Sequence, residues 1–358
     1  MLCDRQIKFL IDILRTNSPS GYEKQIMLVL KKYMSDICFV ETDCLGNMYL
    51  YSSKKNDGLT IMMSAHADEV GFQITDIDNN GFVYARNVAP IDKQTLAGNV
   101  VTALTKKGEI QGVIGKKPPH IIEFKERDKC LGFEDLWIDF GFETKEEAEF
   151  YVERGDYVTL NSEPRFSCNN KRIISKALDN KIGVFIMAEV IRSICKKDIP
   201  LTVVGVATVQ EELGCRGSIV STNTVNPDVA FCIDVGISTD IPNVSSKNYG
   251  LFELGKGVGI IRNAENNEFL TNTLIDAARM NDIMYQKTTG HRSTGGTEAA
   301  HIQLSKQGVA TANISVPNRY MHSLVETCDL RDIECAIDLL VAEMQELTKY
   351  HKKDFCLF

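Results

Sequence analysis

Residues 59–68 read LTIMMSAHAD: an apolar run of strand length that ends on His66 and Asp68. A run without polar alternation suits an interior strand covered on both faces. A histidine at its C-terminal end lies where ligand sites of open α/β sheets collect. Asp68 stands two residues on, the same face of an extended chain, and can orient an imidazole that binds a metal.

The same pattern recurs further along. The strand 201–208 runs into Gln210-Glu211-Glu212, the strand 228–233 into Asp234, and the strand 309–314 leads to His322. The short strand 173–175 precedes Asp179 and an apolar helix over 180–195. Helices are also expected over 266–281 and from about 332 to 350, and this alternation of strands and helices predicts an α/β fold. At the N-terminus two helices joined at Ser18-Pro19-Ser20-Gly21 precede a hairpin of 38–42 with 47–51. Between 70 and 163 the texture changes to short β segments separated by turn signals, which suggests a small antiparallel sheet or barrel. The expected architecture is therefore a mixed central sheet flanked by helices, formed by residues 1–66 and 165–358. A β-rich domain, residues 67–164, is inserted into it.

The 358 residues agree with two domains. A net charge of −8 without any basic stripe argues against a nucleic-acid partner. No apolar run is long enough to span a bilayer. Asp4, Arg5, Lys8, Asp12 and Arg15 interrupt the first helix, so it does not read as a signal peptide. Eleven cysteines without a CxxC pair read as reduced thiols, and a cytoplasmic location is expected.

Each polar group has an ordinary reading when taken alone. Asp179 could cap the helix that follows it, Glu211 and Glu212 could be helix N-terminal charge, and the histidines could be structural. Together, two histidines, two aspartates and a glutamate pair gather at the C-terminal ends of strands. Nitrogen and carboxylate donors without thiolates suit zinc, cobalt or manganese. Six candidates exceed what one ion needs. Two ions bridged by one carboxylate use five ligands and leave a glutamate free to move a proton. HExxH is absent, which excludes a helix-borne zinc site.

The segments SAHADEVG (64–71), KALDNKIG (176–183), VQEELGCRG (209–217), Ile233-Asp234-Val235 and ISVPNRYMHS (314–323), with GVIGKKPPH (112–120), resemble the tetrahedral aminopeptidases, the glutamyl or deblocking aminopeptidase family. The resemblance implies that His66, Asp179 and Asp234 hold one metal ion, that Asp179, Glu212 and His322 hold the other, and that Asp179 bridges them. It implies Glu211 as general base and Asp68 as the support of His66. The implied cofactors are two divalent ions per subunit, zinc first, with cobalt or manganese as alternatives. The implied reaction is hydrolysis of N-terminal residues from short peptides with a free N-terminus, through a metal-bridging hydroxide. The implied assembly is a hollow tetrahedron of twelve subunits, with residues 67–164 building dimer contacts. Two positions depart from the family: Leu178 stands where Trp is common, and Glu298 where Asp is common. His120, His291, His301 and His351 match no ligand motif, although His291-Arg292, beside Gly295-Gly296, could border the substrate.

Two other readings compete. A glycoside hydrolase needs two carboxyls roughly 5–9.5 Å apart, but has no use for His66, Asp179 or His322, and the single tryptophan, Trp137, offers little sugar stacking. An inert assembly protein of the same fold would have no need of a complete ligand set.

Overall fold

A computed structural model describes residues 2–52, 57–124, 130–290 and 296–356. The chain opens with α1 (Asp4–Arg15) and α2 (Lys24–Met34), then β1 (Phe39–Thr42), β2 (Met48–Tyr51) and β3 (Thr60–His66). Next come β4 (Gly71–Ile77), β5 (Val83–Val88), β6 (Val100–Thr105), β7 (Gly108–Lys116), β8 (Leu136–Asp139), α3 (Lys145–Tyr151) and β9 (Tyr157–Leu160). Then follow β10 (Arg165–Phe166), β11 (Arg172–Ser175), α4 (Leu178–Ile194), β12 (Thr202–Thr208), α5 (Arg216–Val225), β13 (Val229–Ile237) and α6 (Ser246–Tyr249). The last are β14 (Val258–Ile261), α7 (Glu268–Met280), β15 (Tyr285–Thr288), α8 (Ala299–Ile302), β16 (Ala310–Asn318), β17 (Glu326–Asp329) and α9 (Leu330–Glu346).

Eight strands form one mixed sheet in the order β1-β2-β12-β3-β13-β16-β14-β15. Its four middle strands, β12, β3, β13 and β16, are mutually parallel, so their C-terminal ends lie along one edge. Alternation sends their side chains into two cores. Ile61, Met63, Val203, Ala207, Phe231 and Ile233 join the large core that includes α4 and α9. Met62, Val204, Val206, Ala230 and Cys232 pack instead with Ala299 and Ile302 of α8. Burial on both faces explains why these strands read as apolar runs. At about 1.5–3 kcal/mol per buried large side chain, it makes this sheet the rigid base of the molecule. Gly205 lets α4 approach, because a Cβ there would collide with Met187 and press on Ile191.

Strands β4-β5-β8-β7-β6-β9 close into a barrel around Phe72, Ile74, Val83, Val101, Ala103, Ile114, Ile138 and Val158. The turn-punctuated reading of 70–114 matches β4 to β7, whereas β8, α3 and β9 carry weaker patterns and had not been expected individually. A third sheet, β10-β11-β17, stands apart from the main one. That corrects one expectation: Asp179 follows β11 and so lies beyond the small sheet, not beyond a strand of the main sheet. A second correction concerns Asp234, which lies within β13 because that strand continues to Ile237. Among the described residues no helix is long and apolar enough to cross a membrane.

Candidate metal centre

β3 delivers His66, 1 % exposed, to the common strand edge. Its Nδ1 faces the Asp68 carbonyl oxygen at 3.2 Å and Asp68 Oδ1 at 3.4 Å. That leaves Nε2 aimed at Asp179 Oδ1 at 3.1 Å, Asp234 Oδ1 at 3.8 Å and Glu211 Oε2 at 3.9 Å. Asp68 is fully buried and does more than face the ring. The Ser20 hydroxyl donates to its Oδ2 (2.6 Å), the Glu211 N–H to Oδ1 (3.0 Å) and the Glu212 N–H to Oδ2 (3.1 Å). One residue earlier, the Gln210 N–H donates to Glu23 Oε1 at 3.1 Å. The backbone after β12 is thus folded onto two buried carboxylates, and the side chains of Glu211 and Glu212 are freed for other partners. Helix charge does not explain this pair, since α5 starts only at Arg216 and has no acid in its first turn.

Asp179 is not a helix cap either. Asn180 fills that place: its Oδ1 accepts from the Gly183 N–H at 3.0 Å, and its Nδ2 donates to the Ile233 carbonyl at 2.8 Å. The Asp179–Asn180 peptide is cis. The Asp179 carboxylate lies between the two imidazoles, with Oδ2 3.3 Å from His322 Nε2. His322, from the turn after β16, brings the same Nε2 to 3.0 Å from Glu212 Oε1. Two clusters result, His66–Asp179–Asp234 and Asp179–Glu212–His322, each with ligand atoms within 4.8 Å of one another, and Asp179 belongs to both.

The electrostatics of this cluster call for a cation. Burial pushes Glu211 up to about 8, opposed by His66, raises Glu212, and raises Asp234 well above its ordinary value. His322, despite burial, is held up at about 11 by Asp179 and Glu212, and His66 is raised by Glu211 and Asp179. Asp179 is depressed, because both imidazoles outweigh the effect of its burial. With Asp68 beside the His66 ring, five carboxylates, Asp68, Asp179, Glu211, Glu212 and Asp234, face two imidazoles. Lys176 and Lys181, the buried ammonium groups nearby, are both engaged by Glu69, at 2.8 and 3.0 Å. Buried carboxylates in excess need pairing or a metal, and the N/O donor set fits zinc, cobalt or manganese.

A cavity of about 720 Å³ opens beside the cluster. One wall carries His66, Asp179, Glu211, Glu212, Asp234 and His322; another is apolar, with Val235, Ile237, Val244, Phe252 and Ile261. Glu298 lies beneath the strand ends, 3 % exposed, and its Oε2 accepts from the Ser64 hydroxyl. Leu178 is fully buried in the large core. His120, His301 and His351 are exposed, and none belongs to either cluster. His291, Arg292 and Gly295 lie outside the described residues, while Gly296 lines the cavity.

Sequence reasoning missed Glu23, Cys215 and Glu326. Cys215 Sγ donates to Glu211 Oε1 at 3.2 Å. Glu326 accepts from the N–H groups of Asp179 and His322, both at 2.8 Å. The available signal was an acid set in the apolar context of Leu324, Val325 and Cys328.

Comparison with known proteins places the chain in a family. The model of the M42 glutamyl aminopeptidase family matches residues 46–339. The lysyl aminopeptidase of Pyrococcus furiosus is 32 % identical, covering 94 % of this chain and 95 % of its own. A TET aminopeptidase structure from a marine-sediment Thaumarchaeota archaeon superposes with a TM-score of 0.91 at 33 % identity, covering 97 % of this chain and 98 % of that one. The TET1 peptidase of Pyrococcus horikoshii, a protein that can assemble into a tetrahedron or a large octahedral shell, superposes with a TM-score of 0.84 at 31 % identity, covering 94 % and 98 %. With the motifs in order along the chain, the fold shared throughout and the family match spanning most of its length, this protein belongs to the M42 glutamyl aminopeptidase family and is a peptide hydrolase of the aminopeptidase type.

Proposed function

We propose that the protein is a dinuclear metallo-aminopeptidase that removes residues one at a time from the free N-terminus of short peptides in the cytoplasm. The observation that carries this reading is the pair of three-residue clusters sharing Asp179. His66, Asp179 and Asp234 would hold one divalent ion, and Asp179, Glu212 and His322 the other, zinc being the first candidate and cobalt or manganese the alternatives. When bound, such ions would supply Lewis-acid polarisation of the scissile carbonyl and acidification of a bound water.

The chain's own residues do the rest. Glu211 belongs to neither cluster, yet its Oε2 lies 3.9 Å from His66 Nε2, at the rim of the cavity. In its ionised form the Glu211 carboxylate can take the proton of the attacking water at Oε2 and return it to the leaving amine nitrogen. Asp68 holds that carboxylate in position through the 211–212 backbone. The apolar wall of Val235, Ile237 and Phe252 receives the side chain of the N-terminal residue.

Residues 1–66 and 165–358 form the catalytic domain in this reading, and 67–164 an inserted domain that builds dimer contacts. The assembly is a homododecamer built from dimers, supported by the shells known for the Pyrococcus horikoshii relative. An enclosed site suits short peptides. The test is turnover of an aminoacyl-nitroanilide and of a pentapeptide, with and without chelator, beside the same peptide acetylated. Chelator-sensitive release of single residues that acetylation abolishes is expected. Comparable cleavage of a doubly blocked peptide would contradict an exopeptidase. Mass photometry is expected to find twelve subunits, and monomer alone at micromolar concentration in the presence of metal would reject the assembly.

A further inference from the structure

Asp179 and His322 come from distant parts of the chain. Asp179 stands at the start of α4, after β11 of the small sheet, and His322 stands in the turn after β16 of the main sheet. An Arg319–Thr327 backbone bridge ties the turn that carries His322 to β17, and β17 in turn pairs with β11. The meeting point of Asp179 and His322 is Glu326, the first residue of β17. β17 pairs antiparallel with β11, and in that register Glu326 lies opposite Ser175, just ahead of the segment that carries Asp179. Only three residues lie between His322 and Glu326, so one side chain reaches both segments.

Its contacts are divided between its two oxygens. The Asp179 N–H donates to Oε2 and the His322 N–H to Oε1, each at 2.8 Å, and Asn318 Nδ2 adds a longer bond to Oε2 at 3.3 Å. Glu326 is 2 % exposed, so these bonds are made away from bulk solvent. Glu326 belongs to neither ligand cluster. The pattern repeats what Asp68 does for Glu211 and Glu212: a buried carboxylate accepts the backbone N–H groups of two residues whose side chains face the cavity.

We propose that Glu326 is a positioning residue that, by clamping the backbones of Asp179 and His322 together, sets the geometry of the ion they would share with Glu212. This rests on the dinuclear reading above. Because the clamp needs an acceptor at both oxygens, Glu326→Gln breaks it at one arm while keeping the volume: an amide nitrogen cannot accept from an N–H. Outer partners of metal ligands typically govern affinity by about 10–100-fold.

The experiment is a cobalt titration of metal-stripped protein, wild type and Glu326→Gln, followed by the visible absorption of the bound ion and by kcat and KM on one aminoacyl-nitroanilide. Glu343→Gln, which alters a buried glutamate of α9 far from the clusters, serves as control. Wild type is expected to bind two equivalents. In Glu326→Gln the weaker of the two binding constants is expected to fall by about 10-fold or more, with an altered cobalt spectrum. kcat should fall while KM stays within about twofold, and Glu343→Gln should match wild type in all of these. A Glu326→Gln protein that melts earlier but keeps wild-type cobalt affinity, spectrum and kcat would overturn the proposal, since its role would then be structural only. Should that variant not fold, Glu326→Asp, which keeps both acceptor oxygens one methylene short, is read by the same criteria. Failure of wild type itself to bind cobalt would instead defeat the dinuclear reading.

Discussion

Replacing Glu211 and Glu212 in turn by glutamine separates two neighbouring carboxylates whose settings differ. Glu212 Oε1 lies 3.0 Å from His322 Nε2 and belongs to a ligand cluster, whereas Glu211 belongs to neither. The backbone of both is held by Asp68 through N–H groups that the substitutions leave intact. In Glu211→Gln the thiol of Cys215 can still donate to the carbonyl oxygen of the new amide, so this variant should fold and load metal as wild type does. What it loses is a basic oxygen, and the expected fall in kcat is about 10²–10⁴-fold, equivalent to roughly 3–5 kcal/mol of barrier. Glu212→Gln would remove one of the three groups proposed to hold one ion, so its loss of activity should track metal occupancy and recover in part with excess zinc or cobalt. The assay is metal content by mass spectrometry beside steady-state kinetics on one aminoacyl-nitroanilide. Metal loss with rescue in Glu211→Gln, and a fully loaded but inactive Glu212→Gln, would refute the assignment and reverse the two roles.

Two further expectations concern stability. Glu69 is held down at about 2 against the cost of its burial by Lys176 and Lys181, so its contribution is present above pH 4.5 and lost as pH falls toward 2. Glu69→Gln leaves two buried ammonium groups without their carboxylate and should cost about 3–5 kcal/mol at neutral pH; denaturant unfolding with a midpoint equal to wild type would contradict this. Glu343 behaves in the opposite sense. Burial raises it to about 8, so its contribution is complete below pH 4.5 and is lost as pH rises through 8. Glu343→Gln keeps the acceptor for the Thr273 hydroxyl and should stabilise the protein at pH 9 by a few kcal/mol with little effect at pH 4.5. Parallel pH profiles of wild type and variant would rule that out.

The sheet was legible because its middle strands are buried on both faces, a condition that forces apolar runs, and because polar groups at the ends of such runs stand out. His66, Glu211, Glu212 and His322 all announce themselves in this way. Asp179 was legible only as a residue, not as a place: its strand is too short to reveal which sheet it joins, and Asn180 takes over the capping that Asp179 seemed suited for. Asp68 was expected to face His66, which it does, but its grip on the 211–212 backbone depends on a contact between segments distant in sequence. Glu326 was invisible for the same reason. The pairing of β17 with β11 is nonlocal, and no periodicity within either segment encodes it.

The central claim is that two ions, held by clusters that share Asp179, are required for peptide hydrolysis. Titrating metal-stripped protein with zinc while following both bound metal and aminoacyl-nitroanilide turnover tests it directly. The account predicts no turnover without metal, saturation at two ions per chain, and activity rising with occupancy. Full turnover in exhaustively chelated protein would contradict it.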